Sequence, residues 1–167
     1  MNELYRNNSK TAAIARRWIE LYNDGTPTFY GSDRFLELYA EDCVWIEYPS
    51  KLFPAGRSGG LAQLREALTF AQSVMVDRHV VLHELLANDS AFSMRCTWSA
   101  TVNGDLLDYP KGSRISLEVG AFYKVHHGHI IEAREFVADL PELETSALRA
   151  SDDGAEVQQL AGGMMIE

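Results

Sequence analysis

The sequence predicts an α+β domain in which a curved, mostly antiparallel sheet wraps over helices that come first in the chain. Three observations carry this expectation. Helical spacing of apolar residues marks two segments before residue 41, and alternation of period two dominates residues 79 to 137. A single helical segment interrupts the strands, after the first of them.

The first helix covers residues 11 to 23, TAAIARRWIELYN, with Ile14, Trp18, Leu21 and Tyr22 at helical spacing and Arg16, Arg17 and Glu20 around the other side. Asp24-Gly25-Thr26-Pro27 stops it, with Gly just past the end and Pro beyond. A shorter helix runs from Ser32 or Asp33, both good N-cap residues, to Ala40, with Phe35, Leu36, Leu38 and Tyr39 inward. Cys43 to Tyr48, rich in β-branched and aromatic residues and ended by Pro49, reads as a strand. SKLFPAGRSGG reads as a loop, and Leu61 to Ser73 as the inserted helix, with Leu61, Leu64, Leu68 and Ala71 as its stripe.

Two strands follow, His79 to Ala87 and Ala91 to Val102, joined through Asn88-Asp89. Asn103-Gly104 marks a turn, and LLDYPKG leads into a long hairpin over residues 112 to 139. In its first arm Ile115, Leu117, Val119, Ala121, Tyr123 and Val125 share one face. His126-His127-Gly128 turns the chain, with Gly128 free to take positive φ. In the second arm Ile131, Ala133, Glu135 and Val137 share a face opposite Ile130, Glu132, Arg134 and Phe136. The pattern breaks after Pro141. Residues 1 to 141 therefore read as one domain and 142 to 167 as a tail, in which Leu143 to Ala150 has room for a turn or two of helix.

Composition narrows the function. The 167 residues are 46% hydrophobic and 23% charged, an ordinary globular mixture, and the net charge of −9 argues against nucleic acid or an anionic membrane surface as partner. The opening MNELYRNNSK lacks a secretory pattern, and no window approaches the ~20 apolar residues that span a bilayer. A cytoplasmic protein is expected, with Cys43 and Cys96 as buried free thiols rather than a disulfide.

Glu135 is the first candidate catalytic residue, because a carboxyl group in register with small and apolar side chains is costly unless it is paired, hydrogen-bonded or kept for chemistry. Glu47 is the second: it shares a face with Cys43 and Trp45, and alternation alone does not say which face is inward. If both line one pocket, repulsion raises one pKa and leaves the other group ionised, an acid–base pair without a metal or cofactor. Trp18, Tyr22 and Trp45 are candidate substrate-binding residues, ahead of Trp98, with plain core packing as the alternative. Arg95 is a further candidate, although alternation with Met94 and Cys96 turns it outward unless a β-bulge intervenes. No metal site is expected: His79 and His83 fall four apart in a strand, ~13 Å from each other, and His126, His127 and His129 crowd an exposed turn. GRSGG lacks the Lys-Ser/Thr of a phosphate-binding loop, and no Ser-His-Asp or Cys-His order stands out.

FLELYAEDCVWIEYP, GRSGGLAQLREAL and the stretch from TVNGDLLDYPKG to GHIIEAREFVAD resemble, in order and spacing, the nuclear transport factor 2-like superfamily, and most of all its SnoaL-like polyketide cyclase branch. The resemblance spans roughly residues 11 to 140 and extends to ketosteroid isomerases and limonene epoxide hydrolases. It implies a cone-shaped roll with the helices in the concave face of the sheet, an apolar pocket for a hydrophobic small molecule, and a homodimer formed through the sheet. It also implies Glu135 at the acidic pocket position, Glu47 at the general-base position of the isomerases, and Trp45 where the epoxide hydrolases hold a water-orienting tyrosine. Trp18 and Gly120 replace the oxyanion-hole tyrosine and proton-donating aspartate of the isomerases. Arg95-Cys96-Thr97 lacks the aspartate of the hydrolase Arg-x-Asp, and Val102 replaces a histidine frequent in the SnoaL-like group. The expected function is cofactor-independent acid–base conversion of a polyketide- or terpenoid-like substrate by cyclisation, isomerisation or dehydration. Epoxide opening by water and a non-catalytic ligand-binding module are the alternatives.

Overall fold

A computed structural model describes residues 9–24 and 33–139. The helix stop at Gly25 to Pro27, the N-cap expected at Ser32 and the tail from 142 to 167 lie outside the described residues. The elements are α1 (Lys10–Asn23), α2 (Asp33–Leu36), β1 (Tyr39–Glu47), β2 (Arg57–Gly59), α3 (Leu61–Val74), β3 (Met75–Ala87), β4 (Ala91–Val102), β5 (Arg114–His126) and β6 (His129–Asp139). The six strands form one sheet in the order β2-β1-β6-β5-β4-β3. Every pairing is antiparallel except β1 with β6. This is the α+β architecture read from the sequence, and its helices pack on one face of the curved sheet.

α1 starts where the Ser9 hydroxyl accepts from the Ala12 amide at 3.2 Å, an N-cap. Its buried face carries Ala12, Ala15, Trp18, Leu21 and Tyr22. Asn23 ends the helix by bonding both backbone groups of Val80 at 2.8 Å, which ties α1 to β3. α3 packs through Leu64, Ala71 and Val74. The facing side of the sheet contributes Cys43, Trp45, Val80, Phe92, Met94, Cys96, Ala121, Tyr123, Ile130 and Ala133, all buried.

Four local expectations are corrected. The second helix does not reach Ala40: it ends at Leu36, and Tyr39 and Ala40 belong to β1, because Tyr39 pairs with Ile130 and the Ile130 amide donates to the Leu38 carbonyl at 2.8 Å. Tertiary pairing here overrides local helix preference. Arg57 to Gly59, expected as loop, is a short strand paired with β1. The third strand starts at Met75 rather than His79, and it carries an extra residue near Asp77. Finally, Ile130 is fully buried. Lys124 opposes Glu132 while Val125 opposes Ile130, so Ile131 is the extra residue of a bulge that returns Ile130 to the inner face. The hairpin turn falls where expected, with His127 at φ 49° and Gly128 at φ 84°, the two positive φ values of a type I′ turn.

Candidate active site

The parallel β1–β6 pair sets Glu47 opposite Glu135 and Trp45 opposite Ala133. Cys43, Trp45 and Glu47 are the inward set on β1, while Val44 is 48% exposed, so the orientation that alternation left open is settled. Glu135 therefore arrives from one strand and Glu47 from its neighbour, on the same concave face.

They open into a cavity of about 120 Å³ walled by α1, α3 and the sheet. A cavity of ~150 Å³ lined by apolar side chains accepts benzene, so one ring sets the scale. Trp18, Tyr22, Trp45, Met94, Trp98 and Tyr123 are among the lining residues, and the polar ones are few: Glu47, Arg57, Arg78 and Glu135 stand among mostly apolar neighbours.

Glu135 is held through both carboxyl oxygens. Trp45 Nε1 donates to Oε2 at 3.3 Å and the Tyr123 hydroxyl donates to Oε1 at 3.1 Å. Its pKa is raised from 4.5 to about 7, first because burial removes water from the charged form and second because Glu47 repels it. The two donors and the Arg57 charge oppose the rise only in part. Glu47, 7% exposed, is also raised by burial, but Arg57 draws it down, since Nη2 of Arg57 bonds Glu47 Oε2. The guanidinium of Arg57 lies 3.5 Å from the Phe53 ring centroid and 5.2 Å from that of Trp45. Just before Arg57, Gly56 lets the loop close against the backbone of β1: its φ is +67°, and a Cβ there would sit 2.8 Å from the Glu47 carbonyl oxygen.

The aromatic wall is ordered by its own polar atoms. Trp18 stacks on Tyr22 with centroids 4.9 Å apart and donates from Nε1 to the Tyr39 hydroxyl at 3.0 Å. Trp98 donates from Nε1 to the Tyr22 hydroxyl. Burial raises the phenols of Tyr39 and Tyr123 well above their usual value, so both stay protonated and available as donors. Cys96, also in the wall, has its thiol pushed up to about 12 by burial, which removes it as a nucleophile.

Trp18, Tyr22, Trp45, Glu47 and Glu135 thus meet in one cavity, and Arg95 does not. β4 pairs with β5 without a register break, so no bulge turns Arg95 inward. It stands on the convex face, bonded to Glu84 at 3.0 Å and Glu118 at 3.2 Å, and the expected substrate contact is corrected accordingly. Among the charged cavity residues, Arg57 and Arg78 escaped sequence reasoning. Arg78 is buried at 7% exposure because the extra residue at Asp77, φ 50°, shifts the alternation of β3. Tyr123 was legible as an inward residue but not as a partner of Glu135. Among the described residues no three His, Cys, Asp or Glu side chains gather as a metal site would require, and no helix is long and apolar enough to cross a membrane.

A family model for the SnoaL-like domain matches residues 15–133. No curated protein matches the sequence. Solved structures with the same fold include BvnE pinacolase from Penicillium brevicompactum, 17% identical over 90% of this chain and 93% of that one, with a TM-score of 0.60. The proposed polyketide cyclase IdmH from Streptomyces antibioticus is 18% identical over 75% and 90%, with a TM-score of 0.59. An NTF2-like protein from Anabaena variabilis is 18% identical over 81% and 95%, with a TM-score of 0.60. At these identities the likeness concerns the fold.

Proposed function

The chain belongs to the SnoaL-like domain family, and from that premise we propose that it is a cofactor-independent acid–base enzyme acting on a hydrophobic, carbonyl-bearing small molecule. The observation that carries this reading is Glu135: a carboxyl group in a mostly apolar cavity, fixed by two side-chain donors, with a pKa of about 7. A base of that pKa divides between its two protonation states near neutral pH and can both take and return a proton. The reaction is a cyclisation, isomerisation or dehydration begun by removing a proton beside a carbonyl. Trp18, Tyr22 and Trp45 hold the apolar body of the substrate. A homodimer through the sheet belongs to the same reading, supported by an outer face on which Val44, Phe122 and Phe136 are exposed and Phe136 stacks on Tyr48 at 4.2 Å.

The test needs no natural substrate. In deuterium oxide the wild-type protein is expected to exchange the α-protons of an aryl ketone such as acetophenone, followed by proton NMR. Glu135→Gln should lower that rate at least about 100-fold, the scale of general acid–base catalysis. Equal exchange by the two proteins overturns the reading. Solvent oxygen-18 entering styrene oxide would instead assign the site to epoxide opening, and ketone binding without either reaction would leave a ligand-binding module.

A further inference from the structure

Arg57 has no assigned role in the acid–base reading, yet its charge acts on both Glu47 and Glu135. Its guanidinium lies 3.5 Å from the Phe53 ring centroid and 5.2 Å from that of Trp45, so aromatic rings rather than acceptors make up part of its surroundings. An arginine fork has five N–H donors. One nitrogen, Nη2, serves Glu47, and among the described residues the buried Nε–H finds no acceptor. A quarter of the side chain remains exposed, and it lines the cavity that holds Glu135. A charged donor held rigidly beside a cavity and short of acceptors has hydrogen bonds to offer a ligand oxygen.

We propose that Arg57 receives the substrate's carbonyl oxygen and holds it as the oxyanion of an enolate, with Glu47 as the positioning residue that anchors the guanidinium. This builds on the acid–base reading of Glu135 and changes the part of Glu47, which is engaged by Arg57 rather than moving a second proton. In the step, the Glu135 carboxylate takes the proton from the carbon beside the carbonyl. The C–H electron pair becomes the C=C bond, and the carbonyl π pair moves onto oxygen beside Arg57. The proton on Glu135 then returns to another atom of the same molecule, so no co-reactant is consumed. The ligand class follows: an enolisable ketone, ester or thioester whose apolar body is of the size of one ring.

4-Nitrophenol, a one-ring mimic whose phenolate has a visible band that the neutral phenol lacks, tests this with the full chain. At a pH where the free ligand is mostly neutral, wild-type protein is expected to bring up the phenolate band. Arg57→Met should weaken phenolate binding about ten- to a hundredfold, the equivalent of one hydrogen bond to a charged group. Toluene binding, read by tryptophan fluorescence, should stay unchanged. Uptake of neutral phenol alone by the wild type, or an undiminished band in Arg57→Met, overturns the proposal. If Arg57→Met does not fold, Arg57→Lys, which keeps the charge and loses the fork, is expected to show an intermediate loss, and the wild-type spectrum already decides. Ketone exchange without a phenolate band sinks the role of Arg57 and leaves the Glu135 reading standing. A band without exchange does the reverse.

Discussion

The two faces of the sheet treat the same residue type in opposite ways. Glu118 on β5 and Glu135 on β6 belong to neighbouring strands, one turned outward and the other inward. On the convex face Glu118 accepts from Thr97 at 2.6 Å and from Arg95 at 3.2 Å, and these bonds, with the charge of Arg95, hold its carboxyl below the ordinary range. On the concave face Glu135 also has two donors, yet burial and Glu47 win and its pKa rises to about 7. Hydrogen bonds alone do not decide a carboxylate's behaviour. What differs is the surroundings: the outer group lies on the solvent-facing side of the sheet, whereas the inner one faces a mostly apolar cavity.

That contrast can be broken most decisively at Glu135. Its change to Gln should abolish turnover and leave the melting temperature close to wild type, because the amide oxygen still accepts from Trp45, the Tyr123 hydroxyl can turn to accept from the amide nitrogen, and a poorly solvated charge is removed. A comparable collapse of activity in Glu118→Gln would dissolve the distinction between the faces.

Next in size is the inner ion pair. Glu47→Ala strands a largely buried guanidinium and is expected to cost about 2 to 3 kcal/mol in urea unfolding, below the range for fully buried pairs, since a quarter of the Arg57 side chain stays exposed. In Glu118→Gln, on the outer face, the unfolding midpoint should barely move.

The same asymmetry has a pH signature. The folded pKa of Glu135 lies above its unfolded value of 4.5, so the folded state binds the extra proton between these limits. Stability should therefore fall as pH rises from about 4.5 to about 7, by at most ~1.4 kcal/mol per pH unit for one proton. Glu135→Gln should flatten that slope in denaturation curves taken across the window. Ketone exchange should climb over the upper part of the same range as the carboxylate forms. The gentlest effect is expected from the outer face: Phe136→Glu should convert the proposed dimer to monomer in sedimentation while leaving ketone exchange within about twofold, since alternation turns its side chain to the face opposite Glu135.

The amphipathic elements were legible because each keeps one period over many residues. Alternation along the hairpin placed Glu135 on the inner face with no other information, and alternation along β4 turned Arg95 outward. Legibility failed wherever a single extra residue resets the period. The bulge at Ile131 moved Ile130 inside, and the one at Asp77 hid Arg78. Bulges have no apolar pattern of their own, and Asp77 at positive φ is a conformation that composition does not announce. Arg57 failed to register for another reason. Its strand is three residues long and exists through pairing with β1, so its role is a property of the neighbour rather than of the local sequence. The orientation of β1 itself became decidable only once the helices occupied one side of it.

One pairing reaches beyond chemistry. The parallel contact of β1 with β6 brings Trp45 to Glu135 across 90 residues of chain, the longest closure among the bonds that build the site. Contacts of such separation carry the largest loop-closure cost and accumulate only as the intervening strands assemble. The proposed acid–base site is thus expected to be among the last parts of the chain to form. A molecule that has formed every local helix and hairpin still lacks the contact of Trp45 with Glu135, so in a refolding experiment the proposed ketone exchange should set in only as the first strand joins the last.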